Sequence, residues 1–154
     1  MPDAGPLPSP DTEARRLWMG LLARATREEL EEAWRGLDPA PVYAFLRRPE
    51  TGLAMVRGRT GGTGEPFNLG EMTMSRCAVR LIGTTGLAFV AGRDLRRAEL
   101  AAVFDALLQD AAKRARIETT LVAGIAERLA GERAARSAEV AATRVNFFTL
   151  AREA

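Results

Sequence analysis

Four arginines and five glycines fall within the 25 residues from Arg57 to Leu81. Arg57, Arg59, Arg76 and Arg80 flank a loop holding Gly61, Gly62 and Gly64, with Gly70 following. A guanidinium is a planar fork that matches phosphate or carboxylate oxygens two at a time. Glycine lets backbone approach a ligand or a second chain with no Cβ in the way. The combination reads as an anion site or a closely fitted interface. A solvated or carboxylate-paired sheet face explains the arginines equally well, and the residues alone leave both readings open.

The run Gly61-Gly62-Thr63-Gly64 is a candidate backbone nest for an anion, with a plain hairpin loop as the simpler reading. It lacks the Lys-Ser/Thr ending of a P-loop and the strand-loop-helix setting of a dinucleotide site. Other chemistry is sparse. The chain has no histidine, so the commonest neutral-pH acid/base and metal ligand is missing. Cys77 falls on the apolar side of an alternating segment and reads as a structural thiol. Glu65, Glu71 and Asp94 are carboxylates without the paired spacing of a metal or hydrolytic site, and Asp94 is explained as a helix cap.

Stepping along the chain gives the elements that must hold these groups. The start, MPDAGPLPSP, is proline-rich, and residues 1–10 are expected to be a disordered arm ahead of one domain over 11–154. That start has neither the basic nor the apolar region of a signal peptide, and a single cysteine points to the cytoplasm as the default home. A helix is expected from Asp11 or Thr12 to about Arg24, with Leu17, Trp18, Leu21 and Leu22 on its apolar face. Thr26 with Glu29 forms a capping box for a second helix to about Leu37. Trp18 and Trp34 sit at apolar helical positions, as core or interface residues.

The middle turns to strands. Val42–Arg48 and Leu53–Arg59 are expected to pair across a turn at Pro49-Glu50-Thr51-Gly52. Thr73–Leu81 alternates, with Cys77, Val79 and Leu81 on one side and Arg76, Ala78 and Arg80 on the other. Leu87–Gly92 follows a Gly83–Gly86 turn. Asp94 then caps a helix to about Ala112, and an alanine-rich helix runs from Ala115 to Ala141 with Gly124 and Gly131 as candidate breaks. The apolar end, Arg144–Leu150, would complete the sheet or reach a partner. Phe147 and Phe148 are adjacent there, so on a strand one of them faces away from the core. The pattern is an α+β fold: an antiparallel sheet of about four to five strands with N-terminal helices and two longer C-terminal helices.

Charge is uneven. Net charge is +2, yet from Arg47 to Arg97 nine arginines oppose Glu50, Glu65, Glu71 and Asp94, while Glu28–Asp38 is acidic. A stand-alone phosphate- or nucleic-acid-binding module is therefore the runner-up reading, against which stand few aromatic residues for stacking and no recognisable motif. A small hydrolase using Glu65, Glu71 or Asp94 is a third.

Several segments together resemble the PhnG family. They are Arg48-Pro49-Glu50-Thr51-Gly52-Leu53, then Gly61-Gly62-Thr63-Gly64 with Phe67, Gly70, Thr73 and Arg76, then Ala78-Val79-Arg80-Leu81. Gly92-Arg93-Asp94, Ala98-Glu99, Asp105-Ala106-Leu107 and Arg144-Val145-Asn146-Phe147-Phe148-Thr149 extend the match, which runs from about Arg15 to Arg152. Members mostly carry histidine where this chain has Arg97, so no titrating role carries over to that position.

The resemblance implies an accessory subunit of the bacterial carbon–phosphorus lyase core complex. There a phosphonate displaces adenine from Mg-ATP to give α-D-ribose 1-methylphosphonate 5-triphosphate. It implies the large nucleosidase subunit PhnI, with PhnH and PhnJ, as partners in a two-fold symmetric hetero-oligomer. The iron–sulfur cluster belongs to another subunit, and this chain binds no cofactor or metal and supplies no catalytic residue. Membrane and nucleic acid are not expected partners. Arg57, Arg59, Arg76, Arg80, Gly61, Gly62, Thr63, Gly64 and Arg93 are the candidates for phosphate or subunit contact, and Phe67, Phe147 and Phe148 for the partner interface.

Overall fold

The computed structural model describes residues 10–143. Residues 1–9 of the expected arm over 1–10 and the closing segment with Phe147 and Phe148 lie outside them, while Pro10 already begins the first helix. Helix α1 covers Pro10–Leu22 and α2 covers Arg27–Arg35. Thr26 accepts from the Glu29 amide while Glu29 reaches back to the Thr26 amide, so the capping box forms as the sequence indicates. Strands β1 (Ala44–Arg59), β2 (Pro66–Leu81) and β3 (Thr84–Ala91) form an antiparallel sheet in that order. Helices α3 (Leu95–Leu108), α4 (Ala111–Ile117) and α5 (Ala123–Ala142) complete the described chain, with one π-helical turn at Glu118–Val122 joining the last two.

The α+β class holds, but the strand count differs: the described residues form three strands, where four to five are expected over the chain with Arg144–Leu150 among them. Val42–Arg48 and Leu53–Arg59 are one strand, and the segment between them does not turn. Phe45 faces Val79, Arg47 faces Ala78 and Glu50 faces Arg76, so β1 carries an extra residue in each of two successive steps. These are bulges, and a bulge accepts Pro49 because it leaves a backbone position out of the ladder. The reversal between β2 and β3 is shorter than expected, Ile82-Gly83 alone, with Gly83 at φ 78°. The C-terminal helices also divide elsewhere than expected. Gly124 and Gly131 lie inside α5, while the break falls at Gln109-Asp110, where the Asp110 side chain caps α4.

The core lies on one face of the sheet. Cys77, Val79, Leu81, Ala88 and Val90 are buried against α3, which is itself buried on nearly every side from Ala98 to Leu108. Trp18 and Leu22 of α1, Leu30 of α2, and Ile117, Leu121 and Ile125 close over it. At Gly86 the backbones of β3 and α3 nearly touch, since a Cβ there would lie 1.9 Å from the Ala102 carbonyl oxygen.

One buried carboxylate ties three elements together. Asp105 is fully buried and accepts from Arg15 Nη2 at 2.8 Å, Arg15 Nε at 3.2 Å, Trp18 Nε1 at 2.9 Å and the Leu87 amide at 2.9 Å. Arg15 and Gln109 also donate to the Thr85 carbonyl. The outer edge of β3 is thereby closed by side chains at Thr85 and Leu87.

Candidate functional site

The hairpin of β1 and β2 is longer than the rest of the sheet. Strand β3 pairs only with Met74–Leu81, so the hairpin between Gly52 and Thr73 projects as a two-stranded arm. Its tip is a 3₁₀ turn at Thr60–Gly62, with Gly61 and Gly62 at φ 59° and 83°. The Gly64 amide closes onto the Thr60 carbonyl at 2.9 Å, and Arg59 Nη1 donates to the Gly64 carbonyl at 3.1 Å. The glycine run with Thr63 is thus the arm's hairpin loop, and Arg59 braces it.

The four arginines do not converge. Arg76 and Arg80 stand on the outer sheet face, opposite buried Cys77, Val79 and Leu81. Along β1 the exposed odd positions Leu53, Met55, Arg57 and Arg59 alternate with Ala54, Val56 and Gly58. Glu50 pairs with Arg76, so even positions share the outer face, and Arg57 and Arg59 point the other way. Arg76 is held by Glu50 at 2.7 Å, and Arg47 holds the same carboxylate at 2.7 Å. Those two guanidinium groups, Arg47 first, keep the Glu50 carboxyl below its ordinary range. Arg57, Arg80 and Arg93 have no hydrogen-bonding or ionic partner among the described residues. Arg93 sits in the exposed loop between β3 and α3.

The arm carries more apolar surface than a solvated hairpin needs. Leu53, Met55, Phe67, Leu69 and Met72 are exposed by between 41% (Met72) and 65% (Leu53). Phe67 pairs with Gly58, Met72 pairs with Ala54, and the Leu69 side chain lies over Gly58, 2.6 Å from where a Cβ would be. All three therefore share the outer face, which continues past Arg76 to exposed Phe89. Sequence reasoning singled out Phe67 and missed the other four, because their alternation does not show which strand residues outrun β3.

Sequence reasoning also missed an ionic and aromatic cluster at the base of β1. Arg96 bridges Glu31 at 2.9 Å and Glu99 at 3.3 Å and lies over the Trp34 ring. Tyr43 donates to Glu99 at 2.5 Å and packs edge-on between Trp34 and Phe45. Burial, then the Glu99 bond, pushes the Tyr43 phenol up to about 12, and burial pushes the Cys77 thiol up to about 11. Both shifts move these groups away from their reactive anions near neutral pH. Arg97 shows no substrate-facing geometry: its amide is capped by Asp94, its Nη2 donates to the Ala23 carbonyl, and its buried Nε has no partner.

A groove of about 730 Å³ opens elsewhere, between the Leu37–Val42 linker, Ile82 and α4. Lys113 and Arg116 on its rim are engaged, by Asp110 at 3.3 Å and by the Gly36 carbonyl at 3.0 Å. None of the arginines singled out from the sequence lines it. Among the described residues no cluster of metal-ligating side chains occurs, and no helix is long and apolar enough to cross a membrane.

The sequence matches the family described as "Phosphonate metabolism protein PhnG" over residues 13–153. It is also 54% identical over 139 residues to a protein of Rhizobium meliloti (strain 1021), covering 90% of this chain and 88% of that protein. That relative is named alpha-D-ribose 1-methylphosphonate 5-triphosphate synthase subunit PhnG.

Proposed function

The chain belongs to the PhnG family, and from that premise we propose that it is the accessory subunit of an α-D-ribose 1-methylphosphonate 5-triphosphate synthase in cytoplasmic phosphonate breakdown. The large nucleosidase subunit PhnI supplies the displacement of adenine from Mg-ATP, and PhnH and PhnJ complete the assembly, with the iron–sulfur cluster outside this chain. The observation that carries the reading is the arm, where apolar side chains and Arg57, without a partner among the described residues, stand exposed on a hairpin beyond the core. Such a surface fits the inside of a complex better than solvent.

Displacement at an anomeric carbon needs activation of the leaving base, stabilisation of an oxocarbenium-like state and neutralisation of triphosphate and phosphonate charge. Only the last task matches what this chain offers. Arg76 is the best placed of its arginines, because Glu50 orients it and, with Arg47 on the same carboxylate, two guanidinium groups over one carboxylate leave a net positive charge. Its task is either to meet substrate phosphates or to clamp the large subunit's carboxylates.

Co-expression with the large subunit, followed by size-exclusion chromatography with light scattering and an adenine-release assay with ATP and methylphosphonate, tests the reading. We expect co-elution, and full activity only when this chain is present. Arg76→Glu should abolish activity in either case, and should prevent assembly only if Arg76 grips the companion. A large subunit that is fully active alone, or a chain that never co-elutes with it, overturns the proposal.

A further inference from the structure

The sheet has two long edges, and the fold treats them differently. The edge of β3 is closed at Thr85 and Leu87 by Arg15, Gln109 and Asp105. The same side of β2, beyond the end of β3, is not closed by any of the described residues. The last rung there is the Gly92 amide donating to the Thr73 carbonyl at 2.9 Å. In an antiparallel strand both backbone groups of one residue point the same way and the direction repeats every second residue. Thr73, Met72 and Glu71 follow each other in unbroken register with Leu53, Ala54 and Met55, so the Glu71 amide and carbonyl point out along the unpaired edge. Then Leu69 is inserted opposite Val56 and Arg57 as a bulge, next to Gly70 at φ 150°.

An unpaired edge flanked by large apolar side chains is a template for another strand unless charge or proline blunts it. Here the side chains beside it are Phe67, Leu69 and Met72 on the outer face, with Asn68 and a single charge, Glu71, on the inner one. On the inner face stand Arg57 and Arg59, one strand further across, about 10 Å away by strand spacing and so within reach of long side chains. Arg93 stands where a strand prolonging β3 would enter. These three arginines have no ionic partner among the described residues.

We propose that the β2 edge from Phe67 to Met72 takes one extended segment of the large companion subunit as an added strand in line with β3. The segment is apolar toward Phe67, Leu69 and Met72, and its acidic side chains lie toward Arg57, Arg59 and Arg93, away from the position opposite Glu71, whose own carboxylate shares that face. Main-chain bonds to Glu71 supply the register and the side chains supply the choice of partner. The inference rests on the accessory-subunit reading above and adds where, and by what kind of contact, the companion is held.

The test is hydrogen–deuterium exchange on this chain alone and in the purified complex, together with two variants. In the complex the Glu71 amide should slow by at least about tenfold relative to the free chain. Glu71→Pro removes an N–H that has no partner among the described residues and fixes φ there, and should cost co-elution with the large subunit, whereas Glu71→Ala should retain it. Circular dichroism and melting of the free variants check that both fold. If Glu71→Pro does not fold, exchange in the unmodified complex decides alone. A complex that assembles with Glu71 exchanging as fast as in the free chain overturns the added strand while leaving the subunit reading intact. Protection already present in the free chain means the occupant is residues 144–154 of the same chain, or a second copy where it grows with concentration, and either also overturns the proposal. Failure of the unmodified chain to bind the large subunit overturns the subunit reading itself.

Discussion

Asparagine at position 105 is the substitution whose effect the structure fixes most closely. Asp105 Oδ1 accepts from Trp18 Nε1 and Arg15 Nε, and Oδ2 accepts from the Leu87 amide and Arg15 Nη2. An amide has one accepting oxygen, so whichever way the new side chain turns, its NH₂ meets two donors. One of them is the Trp18 indole or the Leu87 amide, which has no other partner. Leaving a buried donor unsatisfied costs about 1–3 kcal/mol, and losing a hydrogen bond to a charged group costs about 1.5–3 kcal/mol. The Arg15 side chain is 32% exposed and can turn to water, which discounts its share. Asp105→Asn should therefore cost about 3 kcal/mol, a fall in Tm of roughly 6–12 °C for a chain of this size. Urea unfolding followed by circular dichroism reads it directly. Arg15→Met should cost less in the Asp105→Asn background than in the native chain, with a coupling of at least about 1 kcal/mol. A loss below about 1 kcal/mol in Asp105→Asn, or additive effects in the double variant, would refute the claim that this carboxylate joins α1, β3 and α3.

Gly86→Ala should prevent stable folding, because the new Cβ falls 1.9 Å from the Ala102 carbonyl, whereas Gly124→Ala, with open space within α5, should raise stability by up to about 1 kcal/mol in thermal melts. Thr26→Ala removes the acceptor for the Glu29 amide and should cost about 1 kcal/mol in the same assay. The hydrogen bond from Arg128, ahead of the burial that opposes it, holds the Glu29 carboxyl below its ordinary 4.5. Its stabilisation is therefore complete above that value and lost as pH falls through the lower folded value. Glu29→Gln should be less stable than the native chain at pH 7 and converge with it toward pH 3, and a constant gap across that range would argue against the pair. Disrupting the arm's outer face with Leu69→Asp should leave the melting of the free chain nearly unchanged, because Leu69 is exposed, while reducing recovery of the complex in co-elution.

Signals that act over a few residues were legible from the sequence. The capping box at Thr26 and Glu29 and the cap at Asp94 need only a three-residue reach, and both form. The burial of Cys77, Val79 and Leu81 against exposed Arg76 and Arg80 follows from strand alternation alone. The segments that identify the family are likewise contiguous stretches of residue types. Pro49-Glu50-Thr51-Gly52 shows the limit of such reading, since its composition is that of a turn. It becomes a bulged strand because β2 runs alongside and Arg76, 26 residues away, takes up Glu50.

What the sequence by itself determined, then, was the helix starts at Thr26 and Asp94, the sidedness of β2 and membership of the family. The tertiary structure decided that Arg57 and Arg59 face away from Arg76 and Arg80, because that depends on the register that sets Glu50 opposite Arg76. It decided that Asp105 is the anchor of α1 and β3, with Arg15 lying 90 residues away along the chain. It also decided that β3 stops short of the arm, so that none of the described residues covers the β2 edge there. Caps and alternation are fixed by neighbouring bonds and side-chain direction, whereas partners across the fold are chosen only when the chain closes on itself.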